Sequence, residues 1–148
     1  MNSDVILLIA EDDDGHFGLI QKNLVRAGIL NDVIRFKDGQ ETIDYLFQKD
    51  VTFCREPGRS YVLLLDIRLP RINGIEVLAQ IKANPEVRKM PVIMITTTDS
   101  PREVERCHTL GCSSYIVKPV EYDNFVHAIR QLGLYLKVVQ IPSVKGGY

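Results

Sequence analysis

Five short apolar runs, separated by longer segments with helical periodicity, constrain the fold of this chain more than any other feature of its sequence. The runs cover residues 5–10, 33–36, 61–65, 92–96 and 115–117. The first and third are continuous rather than alternating, which is typical of strands covered on both faces in a parallel sheet. The repeated strand–helix alternation predicts a three-layer α/β domain with a parallel sheet of five strands and with five helices.

The segments between the runs carry the start and stop residues of helices. Asp38, with Glu41 three residues later, is a predicted N-cap. The last helix is expected to extend from about residue 121 to about residue 139. The other helix boundaries are predicted at Gly28 after residues 15–27, at Pro85 after residues 75–81, and at Pro101 and Gly111.

Composition narrows the class of protein. The chain has 148 residues and a net charge of −1, so we expect one domain over residues 1–148, and a general nucleic-acid-coating protein, which is normally basic, is disfavoured. No apolar run approaches the roughly 18 residues of a membrane span, and residues 1–4 lack the basic start of a signal peptide. Three cysteines fit reduced thiols better than a disulfide framework. These features predict a cytoplasmic protein with neither a nucleic-acid nor a membrane partner.

Polar residues stand at the ends of four of the five runs, where ligands bind in open parallel sheets. They are Glu11 and Asp12 after the first run, Asp66 after the third, Thr96 at the end of the fourth and Lys118 after the fifth. Carboxylates from two strand ends repel each other unless protonation or a cation offsets them, and Mg²⁺ suits hard oxygen ligands beside a phosphate. A lysine and a hydroxyl opposite them suit a phosphoryl site with an aspartate nucleophile. The alternative is that the acids are helix caps and solvated loop charges, and that Lys118 is a surface lysine.

Four motifs, in this order along the chain, resemble the receiver domain of two-component response regulators. They are residues 6–13 (ILLIAEDD), 64–70 (LLDIRLP) with Gly74, 91–97 (PVIMITT) and 115–119 (YIVKP). The resemblance covers about residues 4–133 and implies a flavodoxin-like three-layer sandwich with strand order 2-1-3-4-5. Residues 134–148 then form a C-terminal extension that lengthens the last helix.

The resemblance assigns a role to each acid of the site. Asp66 resembles the phosphoacceptor, Asp12 the acid that binds Mg²⁺ directly, and Glu11 the acid that holds it through water. Asp66 itself and the main-chain carbonyl of Arg68 would be further metal ligands, and Mn²⁺ or Ca²⁺ can substitute for Mg²⁺. A metal between Asp12 and Asp66 would neutralise the repulsion that keeps phosphate out. Pro70 and Gly74 are expected to shape the loop after Asp66.

The remaining motif residues resemble a phosphate-operated switch. Thr96 resembles the hydroxyl that moves to the phosphate, and the backbone amide of Thr97 can follow it. Lys118 resembles the lysine that pairs with the phosphate, and its bond to Pro119 is expected to be cis. Tyr115 resembles the aromatic switch that turns inward on activation. Phosphorylation adds charge and three acceptor oxygens, which would bias a two-state surface.

Two further acids and a histidine lie beside the first motif. Asp13 and Asp14 are predicted to cap the first helix and to complement its dipole. His16 is expected to have a surface or helix-packing role, although it lies close enough to the acidic loop to touch the rim of the site.

The last helix carries more apolar residues than one packing face needs. Residues 134–141 remain apolar beyond the point where a receiver core is normally complete, and exposed apolar surface suggests a partner. We therefore expect a homodimer through the final helix and tail, and the alternative is a tail folded back on its own domain. The expected interface stripe is Phe125, Ile129, Leu132, Leu136 and Val139.

Residues 49–60, residues 81–85 and the tail resemble a narrower group, the stand-alone receivers paired with bacterial and cyanobacterial phytochromes. The resemblance implies a response regulator that takes a phosphoryl group from a sensor histidine kinase, here a phytochrome. Such a protein is a self-phosphorylating switch with intrinsic autodephosphorylation, not an enzyme. One alternative is a protein-binding module that kept the fold without phosphorylation. The other is a small phosphohydrolase, which commonly has a second acid two residues after its nucleophile, where this chain has Arg68.

Overall fold

The computed structural model describes residues 1–47, 52–118 and 121–144, and its strands and helices alternate as the sequence predicts. The strands are β1 (Ile6–Ala10), β2 (Val33–Phe36), β3 (Tyr61–Leu65), β4 (Val92–Thr96) and β5 (Ser114–Val117). The helices are α1 (Asp14–Arg26), α2 (Gly39–Leu46), α3 (Gly74–Ala83), α4 (Pro101–Leu110) and α5 (Tyr122–Val138). Neighbouring strands pair in parallel in the order β2-β1-β3-β4-β5, so the flavodoxin-like topology is confirmed.

The sheet separates two cores. The central strands β1, β3 and β4 are buried along their whole length, which explains why their sequences do not alternate between apolar and polar residues. Successive side chains point to opposite faces of a strand. Leu8 and Leu63 therefore pack against α2 and α3, while Leu7 and Leu64 pack against α1 and α5. Full burial of one leucine side chain contributes about 1.5–3 kcal/mol.

Side-chain caps explain where α1 and α2 begin. Asp13 Oδ1 accepts a hydrogen bond from the amide of His16, and Asp38 Oδ1 accepts one from the amide of Glu41, both at 2.8 Å. Glu41 in turn accepts from the amide of Lys37, at 2.8 Å, rather than from the amide of the cap residue itself. The predicted N-caps are confirmed, and the capping box is displaced by one residue.

A buried arginine anchors residues 52–60, the described part of the long irregular stretch before β3. The backbone amide of Arg55 donates to the Tyr45 carbonyl at 3.0 Å, and its Nε donates to the Leu46 carbonyl at 2.9 Å. Its guanidinium also forms an ion pair of 2.9 Å with Glu86. A buried guanidinium is tolerated only when it is paired and hydrogen-bonded, so this loop is held against the end of α2.

The chain after α5 folds back beneath the amino ends of the strands. Ser143 forms an antiparallel bridge with Ser60, and two hydrogen bonds of 3.1 Å join the backbone of Val144 to the loop before β3. The Val144 side chain is buried in the core beneath α2 and α3. For residues 139–144 the structure therefore shows the folded-back alternative, while residues 145–148 lie outside the described part of the chain.

α5 is the longest of the described helices, with 17 residues, so the extended C-terminal helix is confirmed. The expectation that its main apolar stripe forms a dimer interface is wrong, because that stripe packs on the sheet and on α1. The buried members are Phe125, Ile129, Leu132 and Leu136, and Val139 packs at the edge of the same core. The exposed apolar side chains of α5 are Tyr122, Leu134, Tyr135 and Val138. Across the described ranges, neither α5 nor another helix is long and apolar enough to cross a membrane.

Candidate functional site

The carboxyl ends of four strands bring the predicted site residues to one edge of the sheet. Glu11 and Asp12 follow β1, Asp66 follows β3, Thr96 ends β4 and Lys118 follows β5. Asp12 is exposed, whereas the other four side chains are buried. The strand order places β3 between β1 and β4, so Asp66 lies at the centre of the group. We call this cluster of four buried side chains, together with the exposed Asp12 beside it, the pocket.

Lys118 joins the two buried carboxylates. Its Nζ donates a hydrogen bond of 2.8 Å to Asp66 Oδ2 and another to Glu11 Oε1. Only 5% of Lys118 is exposed, and a buried ammonium group needs compensating anions nearby. This geometry excludes the alternative that Lys118 is a surface lysine.

Glu11 is held in a setting that disfavours its charge. Desolvation by burial, opposed by the hydrogen bond and the charge of Lys118, raises the pKa of Glu11 from 4.5 to about 7, and the charge of Asp66 adds to the rise. With Asp12, the pocket holds three carboxyl groups against one ammonium group. A bound cation would relieve this excess of acid.

The donor set of the pocket fits a divalent cation. One carboxylate oxygen from each of Glu11, Asp12 and Asp66 lies within 4.8 Å of the others. Oxygen ligands around a central Mg²⁺, each about 2 Å from it, lie up to about 4 Å apart. Mg²⁺ also keeps several of its waters, and the exposure of Asp12 leaves room for them. The role of the Arg68 carbonyl as a further ligand stays a prediction.

Two predicted switch residues meet at Thr98, in the loop after β4. The Tyr115 hydroxyl donates to the Thr98 carbonyl at 2.7 Å, and the Thr98 amide donates to Thr96 Oγ1 across a long contact of 3.5 Å. Arg68 Nε donates to Thr98 Oγ1 at 3.3 Å. Tyr115 is half-buried, and burial raises its pKa to about 12. Sequence reasoning missed Thr98, whose position two residues beyond Thr96 was the available clue.

The loop after Asp66 has little conformational freedom. A Cβ atom on Gly74 would lie 2.0 Å from the Asp66 carbonyl oxygen, so the backbone there leaves no room for a side chain. Arg71 adopts a positive φ of 70°, which costs energy for a residue with a side chain. The amino end of α3 is therefore packed directly against the backbone of Asp66, as expected for Gly74.

The other residues near the site have the following places. Asp13 caps α1, and Asp14, in its first turn, forms an ion pair of 2.7 Å with Arg35, so the predicted capping and dipole roles are confirmed. Thr97 is exposed at the edge of the pocket. Pro119 lies outside the described residues, so the cis bond after Lys118 stays a prediction.

A groove of about 630 Å³ opens beside Asp12. It lies between the loop after β3 and the helix α4, and both acidic and basic side chains border it. Its charged lining residues are Asp12, Arg68, Glu76, Glu103 and Arg106. The groove therefore lies directly next to the exposed Asp12.

Known proteins are similar to this chain in sequence and in fold. Response regulator Rcp1 of Synechocystis is 28% identical over 143 residues, which is 96% of each chain. A crystal structure of a response regulator receiver domain from Rhodospirillum rubrum is 47% identical, with a TM-score of 0.89 over 95% of this chain and 99% of that chain.

Two further solved structures are of a metal-bound and of a phosphorylated response regulator. The Mn²⁺-bound form of Rcp1 and the phosphorylated cyanobacterial phytochrome response regulator RcpA are each 26% identical to this chain, with a TM-score of 0.83 over 93% of this chain and 98% of theirs. The family model described as the response regulator receiver domain matches residues 7–130, which include all the strand-end residues of the pocket. The chain therefore belongs to the response regulator receiver domain family.

Proposed function

We propose that this protein is a single-domain response regulator in which Asp66 accepts a phosphoryl group from a sensor histidine kinase in a Mg²⁺-dependent step. One observation carries the proposal. Lys118 binds both Asp66 and Glu11, and these two carboxylates lie close enough to Asp12 for all three to bind one cation. The Mn²⁺-bound form of the similar protein Rcp1 supports the proposal that this chain binds a divalent cation. When bound, the cation would neutralise charge on the attacking carboxylate and on the transferring group.

The chain's own residues orient the nucleophile. The Arg68 amide donates to Asp66 Oδ1 at 3.2 Å and Lys118 Nζ donates to Oδ2 at 2.8 Å, so both oxygens of the carboxylate are held in place. In the transfer, a bond forms between an Asp66 oxygen and phosphorus, and the bond from phosphorus to the kinase imidazole breaks. The imidazole leaves with the electron pair of that bond, and the Lys118 ammonium pairs with the phosphoryl oxygens.

The contacts of Thr98 give the phosphorylated state a route to the surface. Thr96 Oγ1 accepts a long hydrogen bond of 3.5 Å from the Thr98 amide. Such a weak contact is easily broken, and the Thr96 hydroxyl can then donate to a phosphoryl oxygen instead. A shift of the loop that carries Thr98 would also move the carbonyl bound by Tyr115 and the hydroxyl bound by Arg68. The output would then be a changed surface around α4 and β5.

The test is phosphorylation by acetyl phosphate, with and without Mg²⁺, followed by phosphate-affinity electrophoresis. We expect about one phosphoryl group per chain. This phosphorylation should depend on Mg²⁺ and be absent in Asp66→Asn. The matched control is Asp32→Asn, because Asp32 is an exposed aspartate at the opposite edge of the sheet. Equal labelling of Asp66→Asn and the parent would refute the assignment. A parent that takes no label would favour the binding-module alternative, and continuous turnover without a labelled chain would favour the phosphohydrolase.

We infer that the phosphodonor is a phytochrome-type histidine kinase. The inference depends on the likeness to Rcp1 and to the phytochrome response regulator RcpA over nearly the full length of each. The test is a short-time transfer assay in which a phosphorylated phytochrome kinase is compared with an unrelated kinase at equal concentration. Equal initial rates from both donors would contradict this pairing.

We also propose that the protein forms a homodimer through the outer face of α5. Leu134 and Val138 are 60% and 76% exposed there, one helical turn apart. Leu134→Asp with Val138→Asp is expected to lower the mass found by sedimentation to that of a monomer. Val25→Asp on α1, at a position that is 51% exposed, is the matched control. A double variant with the mass of the parent would show that this face is not the interface.

A further inference from the structure

His16, in the first turn of α1, contacts the lysine of the pocket. Its Nδ1 lies 3.1 Å from Lys118 Nζ and 3.9 Å from Glu11 Oε1. Its ring also packs against Phe125 of α5, with ring centroids 6.0 Å apart. The imidazole therefore lies between the buried ammonium group and the last helix, although its side chain is 40% exposed. The roles proposed above for the acids and for Thr96 leave this contact unexplained.

The contact with His16 completes the hydrogen bonding of Lys118. An ammonium group has three N–H donors and no acceptor. Two of the donors go to Asp66 and Glu11, and the contact with His16 takes the third. Because the ammonium can only donate, His16 Nδ1 must accept, and the ring proton must then be on Nε2.

We propose that His16 is a positioning residue for phosphoryl transfer, because it accepts the third proton of Lys118 and so holds the ammonium in place beside Asp66. This inference depends on the function proposed above. When Asp66 takes up phosphate, its carboxylate is converted to an acyl phosphate and no longer holds Lys118 in the same way. Glu11 and His16 are then the two side chains that keep the ammonium beside the phosphoryl oxygens.

Two substitutions separate positioning from packing. His16→Leu keeps an apolar group against Phe125 but removes the acceptor, whereas His16→Asn keeps an acceptor bonded to the same side-chain carbon as Nδ1. We expect His16→Leu to slow phosphorylation by acetyl phosphate about tenfold, the size of one hydrogen bond to a charged group. His16→Asn should recover most of that rate. His127→Leu is the matched control, since His127 is exposed on α5 and its contact is with Gln131.

A spectroscopic measurement tests the contact without any phosphorylation. Long-range ¹H–¹⁵N correlation spectra of the histidine rings should show the His16 ring proton on Nε2. The same proton on Nδ1 would refute the hydrogen bond to Lys118. An unchanged rate in His16→Leu, or an equal loss in His16→Leu and His16→Asn, would refute the positioning role. If the parent takes no label, the proposed function fails, and the ring spectrum still decides whether His16 binds Lys118.

Discussion

Replacing Gly74 by alanine should damage the pocket without touching any of its charged groups. The new Cβ would lie 2.0 Å from the Asp66 carbonyl oxygen and 2.9 Å from the Ile67 Cα. Real Cβ contacts are essentially never shorter than 3.0 Å, so α3 and the Asp66 backbone would have to separate by about 1 Å. That separation would also stretch the hydrogen bond of 2.8 Å from the Gly74 amide to the Ile67 carbonyl.

The expected loss of stability follows from these two effects. Overpacking a rigid site costs about 1–3 kcal/mol, and a weakened backbone hydrogen bond adds about 1 kcal/mol. Alanine favours the helix by less than about 1 kcal/mol relative to glycine, which offsets a part. We therefore expect Gly74→Ala to lower the free energy of unfolding by about 2–3 kcal/mol.

Gly18→Ala is the matched control, because Gly18 is exposed within α1 and a Cβ there would meet nothing within 4 Å. That variant should gain about 0.5–1 kcal/mol. Urea unfolding followed by circular dichroism measures both, since the chain has no tryptophan for fluorescence. A displaced nucleophile should also slow labelling of Gly74→Ala by acetyl phosphate more than tenfold, because misplacement by about 1 Å can cost about 10²-fold. A Gly74→Ala variant as stable and as fast as the parent would refute the reasoning.

Three further predictions concern the pocket, the switch and the tail. In the metal-free protein the pKa of Glu11 is raised to about 7. Protonated Glu11 therefore contributes to the stability of the fold in full below about pH 4.5, its ordinary pKa, and this contribution is lost as the pH rises through about 7. Metal binding, in contrast, requires the charged form of Glu11. Isothermal titration should therefore show Mg²⁺ binding about tenfold weaker at about pH 6 than at about pH 8, and an equal slope in Glu11→Gln would contradict this cause. Tyr115→Phe loses the hydrogen bond to Thr98 and should cost about 1 kcal/mol in urea unfolding, so an unchanged midpoint would show that the bond contributes nothing. Val144→Ala should cost about 2 kcal/mol, while Val25→Ala, at an exposed position on α1, should stay within about 0.5 kcal/mol; equal losses would show that Val144 is not packed in the core.

The order of elements and the main pocket residues were predictable because each leaves a local pattern. Strands buried on both faces give continuous apolar runs. A cap such as Asp13 lies a fixed number of residues before the amide from which it accepts a hydrogen bond. The acids and Lys118 follow these runs directly, so the topology alone brings them together.

The errors concern contacts that depend on three-dimensional packing. α5 has apolar residues on two faces, and periodicity does not say which face covers the sheet. Val144 in the tail is buried in the core. It is not part of a periodic pattern of apolar residues, so the sequence gives no sign of its burial. Thr98 binds Tyr115 through its backbone carbonyl, which every residue has, so its side chain could not identify this contact.

The folded-back tail also limits mechanical motion within the domain. Residues after α5 cross beneath the sheet and bind the loop before β3, which ties one helical layer to the other at the edge opposite the pocket. A slide of α5 by one residue would move its end by about 1.5 Å, enough to break the bridge between Ser60 and Ser143. The amino-terminal ammonium group is hydrogen-bonded to the Lys137 carbonyl at the end of the same helix. These contacts hold the carboxyl end of α5 in place, so we expect any shift of this helix on phosphorylation to occur near its amino end, beside Phe125.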